Sequence, residues 1–192
     1  MRVFGIDPGS QRSGYGCIDT DGSRCRVVVC GAITISARTP FSDKLTRIYD
    51  ELVSLLARHR PACVAIEEIF FARNVRSALK LGHVRGVAML AASKAGLPVA
   101  EYAPTEVKRA VVGYGRADKR QVQQMVALLL GLDEAPVPHD VSDALAIAVC
   151  HAHIASSPLA AARSVGHDGV RSWRQYRPQG CVDDRAAPRP AG

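Results

Sequence analysis

The chain has 192 residues, 47% of them apolar, and a formal net charge of +7; this suits one domain with a substantial core and excludes a small disulfide-stapled module. The six cysteines, Cys17, Cys25, Cys30, Cys63, Cys150 and Cys181, include no CxxC pair, which argues against a zinc site and for small buried hydrophobes in a reducing compartment. No apolar run reaches eighteen residues, and Met1 leads straight into "RVFGID", so a soluble cytoplasmic protein with no membrane association is expected. The basic balance favours a polyanionic partner.

Taken in chain order, "RVFGID" (2–7) is a short apolar run stopped by "DPGS", whose Pro-Gly after an acid is turn chemistry. "GYGCID" (14–19) and "RVVVCGAITI" (26–35) are β-branched runs separated by turn residues, which predicts an antiparallel three-strand meander. The period then changes. Leu45, Ile48, Tyr49, Leu52, Leu55 and Leu56 recur every three or four residues, giving an amphipathic helix that starts near Ser42 or Asp43. "ACVAIEE" (62–68) returns to strand, a helix spans about 74–95, "PVAEY" (98–102) is a short strand, and helical stretches follow near 105–112 and 117–130. The last helix opens with "HDVSDALAIAVC" (139–150). From about Pro158 the composition shifts to Pro, Gly, Ala and Ser with six Arg against three Asp, so 1–157 reads as the folded domain and 158–192 as a basic, disordered tail. The element order is α/β, and it matches the ribonuclease H-like arrangement of a mixed five-stranded sheet with helices on both faces.

Carboxylates sit in three places where a strand or buried helix tolerates them poorly. Asp7 ends the first strand, Glu67 ends the fourth, and Asp140 with Asp143 opens the last helix. Each has a plainer explanation: Asp7 can satisfy turn amides, one of the adjacent Glu67 and Glu68 must face away, and D-x-x-D approximates a capping box. Their coincidence weakens those explanations. The first and fourth strands are expected to be neighbours, so their carboxyl ends, with a helix across them, gather four acids at one edge. Such a cluster is unfavourable without a counter-charge. Two hard cations about 4 Å apart remove that penalty and serve in-line phosphoryl displacement. Basic residues lie where nucleic acid needs them: Arg73, Arg76, Lys80 and Arg85 after Glu67, then Lys108, Arg109, Arg116, Lys119 and Arg120. Phe70 and Phe71, next to the acidic strand, offer stacking surfaces for unpaired bases or belong to the core.

"GIDPGSQRSGYG", "AIEEIFFARNVRSALKLGHVRGVA", "EYAPTEVKRAVVGYGRADKRQVQ" and "HDVSDALAIAVCHAH" together resemble the RuvC crossover-junction endonucleases from residue 1 to about 155. The resemblance implies a ribonuclease H-like homodimer that resolves four-way Holliday junctions in DNA recombination and repair. It implies paired symmetrical nicks made with Mg²⁺, two ions per site with Mn²⁺ as a substitute, beside the RuvA and RuvB branch-migration proteins. By that resemblance Asp7, Glu67 and Asp140 are metal ligands and Asp143 is a fourth catalytic acid. By the same resemblance Phe70 would engage bases and Lys108 and Lys119 would contact DNA; Phe71 and Arg76 join the expected DNA contacts on their residue type and place alone. Some relatives carry His at the first acidic position of the last helix. Here His139 and Asp140 stand together, and the register of "ALAIA" assigns the position to Asp140. The rivals are a YqgF-like nuclease of the same fold acting on RNA, a non-catalytic junction-binding module, and an actin-like phosphotransferase, which needs a second domain that 192 residues cannot hold. The second helix, with Leu79, Leu81, Val84, Val87, Ala88 and Leu90, carries more apolar surface than one sheet face needs, and is either a dimer seam or ordinary core.

Overall fold

The computed structural model describes residues 1–68 and 75–156. Within them the elements are β1 (Arg2–Asp7), β2 (Arg12–Thr20), β3 (Cys25–Thr34), α1 (Phe41–His59), β4 (Cys63–Glu67), α2 (Val75–Lys94), β5 (Val99–Tyr102), α3 (Pro104–Val112), α4 (Lys119–Leu130) and α5 (His139–Ala155). Every element expected from the sequence is present, with ends displaced by no more than two residues. The strand order is β3-β2-β1-β4-β5. The first three strands form the antiparallel meander, and β4 joins β1, and β5 joins β4, in parallel. This is the mixed five-stranded sheet expected.

Strand β1 is central, and Val3, Phe4, Gly5 and Ile6 are all buried, as a strand covered on both faces requires. Strand alternation divides the core in two. Phe4, Ile6, Val64 and Ile66 face α1 and α2, where Ile48, Leu52 and Leu56 line up at four-residue spacing beside Val84 and Ala88. Val3, Cys63 and Ala65 face α3, α4 and α5. Asp7 and Glu67 share the odd-numbered side with Val3, Cys63 and Ala65, which turns both carboxylates toward α5; Glu68 takes the opposite side. Helix α5 is almost wholly apolar, with Val141, Ala144, Leu145, Ile147 and Ala148 among its buried residues.

What lets α5 come so close is the absence of side chains beneath it. Gly5 and Gly16 are cross-strand partners, as are Asp7 and Gly14. A Cβ on Gly5 would lie 2.1 Å from the Ala144 carbonyl oxygen, and one on Gly14 would lie 1.8 Å from that of Asp140. Helix α5 therefore rests on bare backbone of β1 and β2.

One expectation needs correction, and one of the plainer explanations falls away. The cysteines are not uniformly buried: Cys17, Cys63 and Cys150 are, Cys25 is half-buried, and Cys30 is exposed on β3, because β3 is a sheet edge with one face incompletely covered. The acids of α5 do not cap it. The N-cap position is Pro138, with no side-chain hydrogen bond, and the Ser142 hydroxyl donates to the His139 carbonyl at 2.8 Å. Phe70, Phe71, Arg73, Cys181 and the tail 158–192 lie outside the described residues.

Candidate active site

Asp7 and Glu67 stand at the carboxyl ends of adjacent parallel strands, and α5 crosses the same edge. A cavity of about 290 Å³ opens there, lined by Asp7, Glu67, Asp143, Lys108, Lys119 and an apolar wall that includes Val107, Val122 and Ile147. The two lysines arrive on well-defined helix starts. Pro104 opens α3, with the Ala103 N–H donating to Glu106 Oε2 at 3.0 Å. Asp118 caps α4 by accepting from the Gln121 N–H at 2.9 Å while its own N–H donates to Gln121 Oε1 at 2.9 Å. Lys119 is thereby the first residue of α4, and its Nζ lies 3.2 Å from Asp143 Oδ2.

The electrostatics of the cluster are those of crowded acids. Burial, then the charges of Glu67, Asp143 and Asp140, push the Asp7 carboxyl up to about 8, with Lys119 opposing. Glu67 is raised in the same direction by burial and by Asp143, against Lys119 and Lys108. Lys119 is raised in turn, chiefly by the charge of Asp143, then by its hydrogen bond and by Asp7 and Glu67. One ammonium thus serves three carboxyl groups.

Asp140 stands apart. It lies in the first turn of α5, outside the cavity lining, 3.6 Å from the Arg12 guanidinium of β2. Among the described residues, no group of three His, Cys, Asp or Glu side chains is arranged to hold one metal ion; the acids are drawn onto Lys119 and Arg12 instead. Asp7, Glu67 and Asp143 converge, and Asp140 reaches Asp7 only through its charge. His139 is exposed at the start of α5. Arg76 is exposed in the first turn of α2. Arg12 was not among the candidates in the sequence, and no local pattern distinguishes it. Of the basic residues expected to meet phosphates, Lys80 lies 5.9 Å from the Phe41 ring centroid, and Arg85 pairs with Glu101.

A β3-β2-β1-β4-β5 sheet with helices on both faces, and acids where its central parallel pair ends, defines the ribonuclease H-like class. The model of the family described as "Crossover junction endodeoxyribonuclease RuvC" matches residues 3–151. The chain belongs to that family. The crossover junction endodeoxyribonuclease RuvC of Koribacter versatilis is 56% identical over 158 residues, which is 82% of this chain and 95% of that protein. The solved structure of Thermus thermophilus RuvC is 40% identical, has a TM-score of 0.75, and covers 81% of this chain and 95% of its own. A second structure, of T. thermophilus RuvC in complex with Holliday junction substrate, is 38% identical at the same TM-score of 0.75, again over 81% of this chain and 95% of its own.

Among the described residues, no helix is long and apolar enough to cross a membrane.

Proposed function

We infer that the chain is a structure-selective endodeoxyribonuclease that resolves four-way Holliday junctions by paired symmetrical nicks in DNA recombination and repair. The observation that carries this reading is the acid cluster itself. A carboxyl group raised to about 8 by burial and by the acids around it, in a cavity also lined by two lysines, is a site short of positive charge beside a surface that attracts phosphate. The family resemblance and the T. thermophilus RuvC complex with Holliday junction substrate give that phosphate its source.

The donor set fits Mg²⁺, because it consists of carboxylate oxygens with no thiol or imidazole. Asp7, Glu67 and Asp143 would hold the metal, two ions per site with Mn²⁺ as a substitute, and Asp140 would join them by releasing Arg12. Divalent ions, when bound there, would supply charge neutralisation and lower the pKa of the attacking water. The protein's share is orientation. Asp7 and Glu67 are fixed on strands, Asp143 on a helix seated against backbone, and the apolar wall around Val107, Val122 and Ile147 limits water on one side. Lys108 and Lys119, on the cavity wall, would hold the phosphates that flank the cut, and Arg76 on α2 would add a further phosphate contact. The described lining contains no serine, threonine or cysteine, in keeping with direct hydrolysis to 5′-phosphate and 3′-hydroxyl ends. Phe70 and Phe71 are the side chains proposed to engage bases at the junction centre.

Paired nicks on a two-fold symmetric junction call for two sites related by the same symmetry, hence a homodimer. Helix α2 offers the surface: Leu79 is 60% exposed and Leu90 52%, and both line a groove of about 700 Å³ with Leu45, Gly82, Gly86 and Val87. The protein would work in the cytoplasm beside the RuvA and RuvB branch-migration proteins.

The test is cleavage of a mobile four-way junction against plain duplex and an RNA junction of equal length, with Mg²⁺ or EDTA. Nicks near the crossover, only with metal and only in the DNA junction, are expected. Equal cutting of duplex, or preference for RNA, overturns the reading. Asp7→Asn and Glu67→Gln should abolish nicking while junction binding persists.

A further inference from the structure

The main-chain carbonyl of Glu67 poses a problem of its own. The Val64 and Glu68 N–H groups donate to Pro98, just before β5, and to Tyr102 at its end, at 2.9 and 2.8 Å, so even-numbered residues of β4 present their backbone groups to β5. Alternation turns the Glu67 carbonyl the other way, toward β1. There the pairing ends at Ile6↔Ile66, Asp7 follows, and the next residue is Pro8, which has no N–H to give. The residue that ends β1 as an acid is followed by the one that cannot complete the ladder.

The donor comes from the opposite layer. Arg85, on α2, donates its Nε–H to the Glu67 carbonyl at 3.3 Å, and its terminal nitrogen pairs with Glu101 Oε2 on β5. The Arg85 side chain is only 20% exposed. Glu101 faces Ile66 across the β4/β5 ladder, so the guanidinium spans β4 and β5 from a helix on the far side of the sheet from α5. The planar fork of arginine can reach a carbonyl and a carboxylate together, which a lysine ammonium cannot do with the same fixed geometry.

We propose that Arg85, anchored by Glu101, is a positioning residue for Glu67. It replaces the ladder donor that Pro8 withholds and fixes the last peptide of β4, from which the Glu67 carboxylate is aimed. The proposal rests on the reading of Glu67 as a catalytic acid. It removes Arg85 from the residues that meet phosphate, and it links α2, the helix with the exposed apolar face, to the backbone of the site.

Single-turnover nicking of a four-way junction, measured beside junction affinity in EDTA over a salt series, separates the possibilities. Arg85→Met should slow nicking about tenfold, the order expected for one oriented contact, with affinity and salt dependence unchanged. Arg85→Lys should fall between, and Glu101→Gln should slow nicking without touching the guanidinium. Combining Arg85→Met with Glu101→Gln should cost no more than Arg85→Met alone. Loss of junction affinity with a shallower salt slope would mean that Arg85 binds phosphate, and overturns the proposal. Should Arg85→Met fail to fold, Glu101→Gln decides: wild-type nicking by that variant overturns the proposal. Glu67→Gln is run alongside. If it nicks normally, the reading of Glu67 fails; if it is dead while Arg85→Met and Glu101→Gln nick normally, only the positioning role fails.

Discussion

Replacing Asp7 by Asn should abolish metal-dependent nicking and, with the metal removed, make the folded protein more stable. The folded chain holds the Asp7 carboxyl up to about 8, against an ordinary value of 3.8. A raised acid in the folded state means that the unfolded chain gives up its proton first as pH rises. Stability from the protonated form is complete below 3.8 and is lost progressively up to about 8. At pH 7 that difference corresponds to roughly 4 kcal/mol as an upper bound, at 1.36 kcal/mol per pH unit. Asparagine keeps the shape and cannot ionise. Urea unfolding in EDTA at pH 7 should show Asp7→Asn more stable than wild type by about 2 kcal/mol or more, allowing for relaxation around the charge. The gap should shrink toward pH 4, and also when Mg²⁺ is added, because only the wild type gains from binding it. A variant no more stable than wild type in EDTA at pH 7 would refute the claim that Asp7 is held among uncompensated acids.

Three further outcomes follow from other parts of the molecule. Gly14→Ala forces a Cβ onto the Asp140 carbonyl oxygen at 1.8 Å, a backbone atom that cannot swing aside; a loss toward the upper end of the usual 1–3 kcal/mol for overpacking is expected in thermal denaturation, with slower nicking. His151 is half-buried between Cys63 Sγ at 3.2 Å and the Tyr102 hydroxyl at 2.7 Å, and the loss of solvent lowers its pKa. The unfolded chain therefore takes up this proton first, so stability should decline as pH falls below 6.5, and His151→Gln should flatten that part of the urea-unfolding profile. Leu79→Glu, placed on the exposed face of α2, should convert a dimer to monomers in sedimentation without lowering the melting temperature of the subunit.

The sequence made the strands legible because they are short, β-branched and punctuated by turn residues, and it made Asp7 and Glu67 legible because each breaks an apolar run at its last position. Their shared direction followed from the alternation of two adjacent strands. The acids of α5 were harder. A spacing of three puts Asp140 and Asp143 on one side of a helix, but which of them enters the cavity depends on how α5 is tilted and on Arg12, both set by tertiary contacts. The resemblance to D-x-x-D capping misled locally, since the chain places Pro138 at the cap. Arg85 and Arg12 looked like any other surface base. Their partners, a main-chain carbonyl and a helix acid, are brought to them only by the completed sheet.

Helix α5 meets β1 at Gly5 and β2 at Gly14 main chain against main chain, and the Leu145 side chain fills the space over Gly16. The distance from the strand acids to the helix acids is accordingly a property of backbone thickness, which has no rotamers and few degrees of freedom. Substitutions elsewhere in the core can loosen or tighten the protein without resetting that interval. The outward residues of α3 and α4 are free to vary, whereas Lys108 and Lys119 on the same helices are tied to the cavity. The same feature limits redesign: any attempt to stabilise this layer by filling it out must lift the helix, and with it half of the acids, off the site.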